Sequence, residues 1–250
     1  MLKKTKKGFY ILEKFSQLPG IIHGFSTREC GNVKIRCIEE REKVLENRKR
    51  LAQSLGFNAK KIVEAEQIHG TKIALVGKND WGRQIKGVDG LLTGEEEVFL
   101  LIKTADCVPV LFFDSCQKVV GIAHAGWKGI LGGIILETIK LMQTQFGSKA
   151  KNILVGLGPA IGVCCYDVPK ERALKFQRFG KEIVREKEGK WYLDLRGAIA
   201  KSLNQLGVPF SNIEISSACT SCQNEVFFSF RKEGRNLEGE IGSVIGRKDY

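Results

Sequence analysis

The sequence has few histidines and no long apolar run, and both shortages narrow the classes of protein that it can encode. Its 250 residues include three histidines, His23, His69 and His124, too few for a coupled multi-copper centre, which needs many imidazole ligands. The apolar run at residues 108–113 is far shorter than the roughly 20 residues that a membrane-spanning helix needs. Only four apolar residues in a row precede Glu13, too few for the core of a signal peptide. We therefore expect a cytoplasmic protein that does not bind membranes.

Linkers are also absent. The chain has no low-complexity tract, no internal repeat and no Pro/Gly/Ser-rich segment long enough to separate two units, so residues 1–250 are predicted to form one domain. Hydrophobic periodicity and turn residues predict both helices and strands. The predicted helices are residues 39–55, 129–146, 169–179 and 194–206. The predicted strands are residues 9–15, 18–26, 61–66, 72–76, 98–103, 108–113, 119–123, 152–156, 213–216 and 241–245. This mixture, with several strand pairs joined by short turns, predicts an α/β (α+β) fold in which helices pack on a mixed β-sheet.

The net charge of +12 raises the question of a nucleic-acid partner. The first 50 residues hold 13 Lys and Arg against 6 Asp and Glu, so they supply more than half of the excess. No basic stripe interleaved with aromatic residues follows, and there is no helix-turn-helix or RNA-recognition motif. We expect a solvated lysine-rich surface and no nucleic-acid partner. The positive charge can also attract small anions such as phosphate.

Eight cysteines are present, and we expect them to be reduced thiols because the chain is long and has no export signal. Cys219 and Cys222 form a single CxxC pair. A zinc ribbon needs a second pair, and the adjacent Cys164 and Cys165 are a poor substitute for one. These four cysteines are therefore predicted to line or support a pocket rather than to bind a metal.

The clearest chemical signal lies in the segment TADCVPVLFFDSCQKVVGIAHAGWKG. If residues 108–113 and 119–123 form an antiparallel hairpin, the start of the first strand lies opposite the end of the second. Cys107 and His124 then become neighbours. A cysteine beside a histidine can act as a nucleophile with its base or as two ligands of a soft metal. His69, in a loop at a strand end, would favour the metal as a third ligand. The residue pattern alone leaves the two chemistries open.

Six motifs in chain order resemble those of one known family. The motifs are EQIHGTKI, VDGLLT, TADCVPVLFFD, AHAGWKGI, GPAIGVCCYDV and CTSCQNEVFFSFRKEG. The resemblance runs from about His23 to Arg231. The family comprises the bacterial YfiH/YlmD-type proteins, formerly called multi-copper polyphenol oxidases or laccase-domain proteins and now assigned as purine nucleoside phosphorylases. It implies a sandwich of mixed β-sheet and packed helices, similar also to cytotoxic necrotizing factor, a toxin deamidase with a Cys-His pair.

The resemblance implies that His69, Cys107 and His124 bind zinc, with copper uptake in vitro as a side property. It implies phosphorolysis of adenosine, inosine, guanosine and methylthioadenosine, and deamination of adenosine. Arg48 is implied as a catalytic and phosphate-binding residue, and Arg28 and Asn47 are further candidates for phosphate and substrate contacts. The expected partners are purine nucleosides and phosphate, and we expect a monomer or homodimer.

Some positions depart from the family pattern. Glu29 and Cys30 stand where the family usually continues STR with a Gly-Gly stretch, Lys232 replaces the second residue of an Arg-Arg pair, and Glu240 replaces the arginine of a late Gly-Arg. These departures concern the phosphate and sugar contacts and leave the metal trio intact. Three alternatives stay open: a metal-free Cys-His hydrolase or deamidase, a copper-dependent polyphenol oxidase side activity, and a zinc-stabilised binding module without catalysis.

Overall fold

The computed structural model describes residues 2–35 and 37–248, and in this part of the chain two large sheets pack face to face between helices. The strands are β1 Leu2–Lys4, β2 Tyr10–Leu12, β3 Ile21–Phe25, β4 Ile62–Ala65, β5 Ile73–Leu75, β6 Gln84–Ile85, β7 Gly90–Thr93, β8 Phe99–Thr104, β9 Val108–Asp114, β10 Val119–Ala125, β11 Ile153–Leu157, β12 Asp167–Val168, β13 Val184–Lys187, β14 Lys190–Leu193, β15 Ile213–Ile215 and β16 Ile241–Arg247. The α-helices are α1 Glu13–Ser16, α2 Arg41–Leu55, α3 Trp127–Gly132, α4 Ile134–Phe146, α5 Lys170–Phe176, α6 Leu195–Gln205 and α7 Phe230–Glu233.

Both large sheets are mixed, as predicted. The first has the strand order β1-β2-β3-β16-β8-β4-β6, and the second has the order β15-β11-β9-β10-β7-β5. A small third sheet, β12-β14-β13, shares no strand with either of the two large sheets. Parallel pairs such as β4 with β8 occur beside antiparallel pairs such as β9 with β10. The α/β class with helices on a mixed sheet is therefore confirmed.

Alternation along the central strands explains the layers. Successive side chains of a strand point to opposite faces. On β9, Leu111 and Phe113 enter the core shared by the two sheets, whereas Val110 and Phe112 enter the core formed with the helices. Because both faces are covered, every residue of β9 is buried, and all but its last residue, Asp114, form a continuous apolar run.

The helices cover the outer faces. Leu51 and Ala52 of α2 pack on the outer face of the first sheet, against Phe99 of β8. Ile139 and Met142 of α4 pack on the outer face of the second sheet. None of the helices within residues 2–35 and 37–248 is both long and apolar enough to cross a bilayer.

The β9–β10 hairpin has the predicted antiparallel pairing. Asp114 pairs with Val119 at the turn, and Val108 pairs with Ala125 at the open end. Cys107 directly precedes this last pair, so the register places it beside His124. The predicted antiparallel hairpin, with Cys107 beside His124, is confirmed.

Three predicted elements differ from the structure. The strand predicted at residues 9–15 stops at Leu12, because the backbone N–H groups of Glu13 and Lys14 donate to the carboxylate of Glu214 and start α1 there. The helix predicted at residues 129–146 is two helices, α3 and α4, separated at Gly133, which adopts a left-handed backbone with φ 95°. The helix predicted at residues 169–179 ends at Phe176 and continues only as a 3-10 turn.

Several short strands were not predicted. The clearest is the hairpin of β13 and β14, whose exposed residues lack an alternating apolar pattern. Its turn residues, Glu188 and Gly189, both have positive φ, 51° and 73°, as two-residue hairpin turns require. The other unpredicted strands are β1, β6, β7 and β12.

Candidate metal centre

Two imidazoles and one thiol converge at the open end of the central hairpin. The ligand atoms of His69, Cys107 and His124 all lie within 4.8 Å of one another. The rings of His69 and His124 meet edge to face with their centroids 4.7 Å apart. His124 is buried, Cys107 is partly exposed and His69 is exposed. The three side chains thus form a cluster that is exposed at His69, a set that can hold a metal ion.

Asp89 organises two of the three side chains. It precedes β7 and is fully buried. Its Oδ1 lies 2.8 Å from Nδ1 of His124, which directs the other ring nitrogen, Nε2, into the site. Its two oxygens also accept the backbone N–H groups of Ile68, His69 and Gly70 at 3.1, 2.9 and 2.7 Å. A carboxylate behind a histidine ligand fixes the ring and raises its basicity, and here the same carboxylate also shapes the loop of the second histidine.

Asp106 organises the loop of the third side chain. Its Oδ1 accepts the hydroxyls of Thr220 and Ser229 at 2.6 and 2.7 Å, and its Oδ2 accepts the backbone N–H of Arg231 at 2.6 Å. These contacts give Asp106 the role of orienting the loop before Cys107.

Two residues of the site loops have strained backbones. His69 has φ 61° and Asp106 has φ 91°, values that non-glycine residues seldom adopt. Such conformations persist where surrounding contacts over-determine them, and they cluster at functional sites. Here the hydrogen bonds of the two buried aspartates supply these contacts.

The site shifts the ionisation of its own groups. Burial raises the pKa of Cys107, but the positive charge of His124 and hydrogen bonds from both histidines outweigh it, and the pKa falls to about 7. Burial lowers the pKa of His124, but the Cys107 thiolate and Asp89 outweigh it, and the pKa rises to about 9. The geometry therefore favours a thiolate, the form of cysteine that binds metals and attacks electrophiles.

Gly126 leaves room for the site. A Cβ at this position would lie 3.0 Å from Sγ of Cys107 and 3.1 Å from Cδ2 of His69. Its backbone φ is −76°, which any residue can adopt. The glycine in AHAGWKG is thus favoured by the space that the trio occupies and not by backbone conformation, since a Cβ would have to displace these side chains by a few tenths of an ångström.

Arg48, the predicted catalytic and phosphate-binding arginine, pairs with a buried glutamate. Both of its terminal nitrogens donate to the Glu64 carboxylate at 2.8 and 2.9 Å, and its Nε donates to the Val33 carbonyl at 2.8 Å. Lys103 pairs with the same carboxylate. Arg48 and Glu64 line a cavity of about 540 Å³ between α2 and the first sheet, and no member of the trio lines it. Its phosphate role stays a prediction, and a phosphate would have to compete with Glu64.

Arg28 and Asn47, the other substrate candidates, share a second cavity of about 280 Å³ that the trio does not line. The Arg28 guanidinium pairs with Glu233 at 2.5 Å and Glu238 at 3.0 Å. Asn47 donates to the carbonyl of Asn32. The structure brings these two residues together, but it gives their polar groups partners of their own.

His23 has a structural environment. It is buried, its Nε2 accepts the backbone N–H of Leu12 at 2.9 Å, and its ring packs against Phe15. These contacts give it a structural role and leave two imidazoles for the site.

Sequence reasoning missed several residues around the site. Asp89 lies in the VDGLLT motif, but only the fold reveals its contacts. Arg172 lies over the ring of Trp127, with its guanidinium carbon 4.1 Å from the ring centroid, and also interacts with Tyr166, which is close enough to Cys107 to feel its charge. Nothing in the local sequence around Arg172 signals this position, because α5 reaches the site only through tertiary packing.

The fold and the site together define a class: an α/β sandwich of two mixed sheets that carries a His-Cys-His centre at one end of a central hairpin. The family model of the multi-copper polyphenol oxidoreductase laccases matches residues 22–248. The chain belongs to this family, and the resemblance inferred from the six motifs is confirmed.

Individual relatives agree. The chain is 36% identical to purine nucleoside phosphorylase YlmD of Geobacillus stearothermophilus, over 92% of this chain and 91% of that protein. The crystal structure of YlmD from the same organism superposes with a TM-score of 0.91, covering 99% of both chains. The chain is 31% identical to adenosine deaminase RL5 of an unknown prokaryotic organism, over 95% and 94% of the two chains.

A mammalian relative is longer. The chain is 33% identical to purine nucleoside phosphorylase LACC1 of Mus musculus, over 91% of this chain, and spans 56% of that protein. These relatives carry the names of enzymes of nucleoside metabolism.

Proposed function

We propose that the chain is a zinc-dependent purine nucleoside phosphorylase that also deaminates adenosine. Its substrates would be adenosine, inosine, guanosine and methylthioadenosine with phosphate. The observation that carries the proposal is the convergence of His69, Cys107 and His124 in a chain that matches, over nearly its whole length, a protein named purine nucleoside phosphorylase. The deaminase activity is proposed from the name of the relative RL5.

The donor set fits zinc. Two imidazole nitrogens and one thiolate are borderline-soft ligands, and a catalytic zinc site in general uses three protein ligands and leaves a fourth position open. The Nδ1 of His124 is engaged by Asp89, as is usual for zinc-ligating histidines. When bound, zinc supplies a Lewis acid that polarises oxygen or nitrogen groups of the substrate. Copper uptake in vitro is proposed only as a side property, since two imidazoles and one thiolate are too few ligands for a coupled copper cluster.

In the proposed reaction, an oxygen of phosphate forms a bond to C1′ of the ribose as the C1′–N9 bond breaks. The electron pair of the broken bond leaves with the purine, which takes up a proton, and the products are the free base and ribose 1-phosphate. The residues of the chain hold the site in place for this step: Asp89 orients His124 and the His69 loop, and Asp106 orients the Cys107 loop. Gly126 keeps the space beside the trio free.

Two groups of arginines are candidates for the phosphate contact. Arg48 and Arg28, with Asn47, are proposed from the family resemblance. Arg172 is a further candidate, since its guanidinium lies over Trp127, three residues after His124. A guanidinium can bind two phosphate oxygens at once. Because glutamates already pair with Arg48 and Arg28, we favour Arg172, which has no ion pair among the described residues and interacts with Tyr166.

A second candidate function rests on a specific observation. Asp89, His124 and Cys107 are linked in the order carboxylate, imidazole and thiol, which is also the arrangement of a metal-free cysteine nucleophile with its base and orienting acid. Such an enzyme would hydrolyse or deamidate its substrate through a covalent intermediate at Cys107. The exposed third residue, His69, has no necessary role in that chemistry and favours the metal.

The two candidates differ in their products and inhibitors. The test incubates purified protein with inosine or adenosine, with and without phosphate, and follows bases, ribose and ribose 1-phosphate by chromatography before and after chelation. The proposal predicts phosphate-dependent release of base with an equal amount of ribose 1-phosphate, abolished by chelation and restored by zinc. Free ribose without ribose 1-phosphate, or activity that resists chelators and is lost on thiol alkylation, would instead support the metal-free enzyme. Chelation that unfolds the chain without any nucleoside turnover would indicate a zinc-stabilised binding module.

Location and assembly belong to the same proposal. A cytoplasmic enzyme fits the family membership and the free cysteines found among the described residues. A monomer or homodimer stays a prediction, for which size-exclusion chromatography with light scattering is the test.

A further inference from the structure

Four cysteine thiols from two loops meet at one point outside the His-Cys-His centre. Cys164 and Cys165 follow β11, and Cys219 and Cys222 follow β15. The four Sγ atoms all lie within 4.8 Å of one another. The Sγ of Cys222 is 3.5 Å from that of Cys164 and 3.3 Å from that of Cys165. Sequence reasoning treated the CxxC pair as lacking a partner pair, and the fold brings the adjacent cysteines to it.

We propose that these four cysteines bind a second zinc ion, which has a structural role. Zinc–sulfur bonds of about 2.3 Å in a tetrahedron place the sulfur atoms roughly 3.8 Å apart. The Sγ of Cys222 lies slightly closer than this to the Sγ atoms of Cys164 and Cys165, at 3.5 and 3.3 Å, and all four sulfur atoms lie within 4.8 Å of one another. Small side-chain rotations therefore suffice to form a tetrahedral site.

Other occupants of a four-cysteine cluster fit less well. An iron–sulfur cluster distributes its thiolates over two or four irons, which spreads the sulfur atoms more widely than this compact set. A disulfide joins only two sulfurs, whereas Cys222 is almost equally close to Cys164 and Cys165. One disulfide would leave the other two thiols without a role.

The surroundings suit an anionic centre. On binding zinc, the four thiols lose their protons to solvent, and the resulting centre carries a charge of −2. Arg196 donates to the carbonyls of Ser216 and Ala218 at 2.6 and 2.7 Å, immediately before Cys219. Arg231 donates to the Cys165 carbonyl at 3.0 Å. One guanidinium thus lies at each loop. Arg231 also pairs with the Asp167 carboxylate at 2.5 Å, so Arg196 is the group that mainly offsets the charge of the centre. The backbone N–H of Gly162 also donates to Sγ of Cys219 at 3.2 Å, a contact that orients a thiolate ligand.

The position of the cluster indicates what the ion would do. Cys219 forms an isolated parallel bridge with Ala160, so the two loops already lie side by side. The next residue, Thr220, donates its hydroxyl to Asp106, and Ile161 donates its N–H to the Asp106 carbonyl at 2.9 Å. A zinc ion would fasten the loops that hold Asp106, the residue before Cys107. The second zinc would therefore be a clamp that positions the candidate centre without contacting substrate.

The test counts zinc in the full-length Cys107→Ala protein, in which the first centre has lost a ligand, so the result does not depend on the proposed function. After purification with zinc and removal of loose metal, mass spectrometry of the metal content is expected to give one zinc per chain. Adding Cys219→Ser is expected to remove it. Adding Cys116→Ser, which changes an exposed cysteine outside the cluster, is expected to leave one zinc per chain.

A second measurement needs no substitution within the four-cysteine cluster, so it remains valid if the Cys219→Ser variant fails to fold. In the Cys107→Ala protein, zinc is expected to slow the reaction of four thiols with a thiol reagent, and cobalt in place of zinc is expected to give thiolate-to-cobalt charge-transfer bands of a tetrahedral site. The proposal would be overturned if the protein bound less than a tenth of a zinc per chain and if zinc left the reactivity of the thiols unchanged. A disulfide detected within the cluster by mass spectrometry of unreduced, zinc-treated protein would overturn it as well.

Discussion

Replacing Asp89 by asparagine changes one atom of the residue that organises the candidate centre. In the structure, Oδ1 accepts the backbone N–H of His69 and bonds to Nδ1 of His124, and Oδ2 accepts the backbone N–H groups of Ile68 and Gly70. An asparagine keeps one oxygen and puts an NH₂ group in place of the other. Whichever way the amide is turned, two hydrogen bonds are lost and N–H groups face each other.

The expected effect is large. Hydrogen bonds to a charged group contribute about 1.5 to 3 kcal/mol each, so the loss of two lowers the unfolding free energy by about 3 to 6 kcal/mol. The lost contact with His124 is expected to weaken metal binding by about 10- to 100-fold, as substitutions behind a histidine ligand generally do. Both effects follow from a side chain that is fully buried.

The assay measures the free zinc concentration that restores half of the nucleoside-cleaving activity in chelator buffers, together with unfolding by urea. Asp114→Asn is the matched control, because Asp114 is equally buried but lies at the turn of the β9–β10 hairpin, at the end opposite to Cys107 and His124. Its Oδ1 accepts the N–H groups of Cys116 and Gln117, and its Oδ2 has no hydrogen-bond partner within the described residues. Unchanged zinc dependence and stability in folded Asp89→Asn protein would refute the role given to this carboxylate.

Three further variants test separate parts of the account. Gly126→Ala is expected to lower zinc affinity about tenfold or more with little loss of stability, since its Cβ would displace ligand side chains; full affinity would contradict this. Burial lowers the pKa of His23 from 6.5 to about 4, so only the unfolded chain takes up its proton, and between pH 6.5 and 4 the wild type should lose about 3 kcal/mol of stability. In urea unfolding, the His23→Gln variant should lack this His23-dependent decrease in unfolding free energy. If the unfolding free energies of the two proteins changed in parallel with pH, the role given to the His23 pKa would be refuted. Arg172→Met is expected to raise the KM for phosphate about tenfold or more, whereas Arg178→Met should not; equal KM values would exclude the contact.

The hairpin and the trio could be predicted because they depend on local patterns. The apolar residues of β9 and β10 alternate between two buried layers, and a short polar turn joins them, so the register follows from the sequence. That register alone makes Cys107 a neighbour of His124. The third member, His69, could be nominated because it lies in a loop at a strand end, where sites are commonly built.

Contacts between distant segments could not be predicted. Glu214 starts α1 by accepting two backbone N–H groups from about 200 residues away, and no local pattern signals it. The same holds for Asp89, whose buried carboxylate bonds to a loop and to another strand. The spacing of the four cysteines in the sequence argues against a metal site, because spacing alone does not show that the loops after β11 and β15 lie side by side.

Arginine positions were harder still. A long side chain places the guanidinium group of an arginine far from the backbone, so its partners depend on the fold more than on the neighbouring residues in the sequence. The motif indicates a catalytic and phosphate-binding role for Arg48, but it does not show that the guanidinium pairs with Glu64. Arg172 was not singled out, although its guanidinium lies over Trp127.

The rate of ribose 1-phosphate formation from inosine and phosphate, compared between the wild type and Cys107→Ala, tests the central claim most directly. If one thiolate and two imidazoles form the reactive centre, the variant should keep the wild-type fold by circular dichroism and lose at least about 100-fold in rate, more than a substitution behind a ligand costs. A folded Cys107→Ala protein that forms ribose 1-phosphate at the wild-type rate would contradict the account.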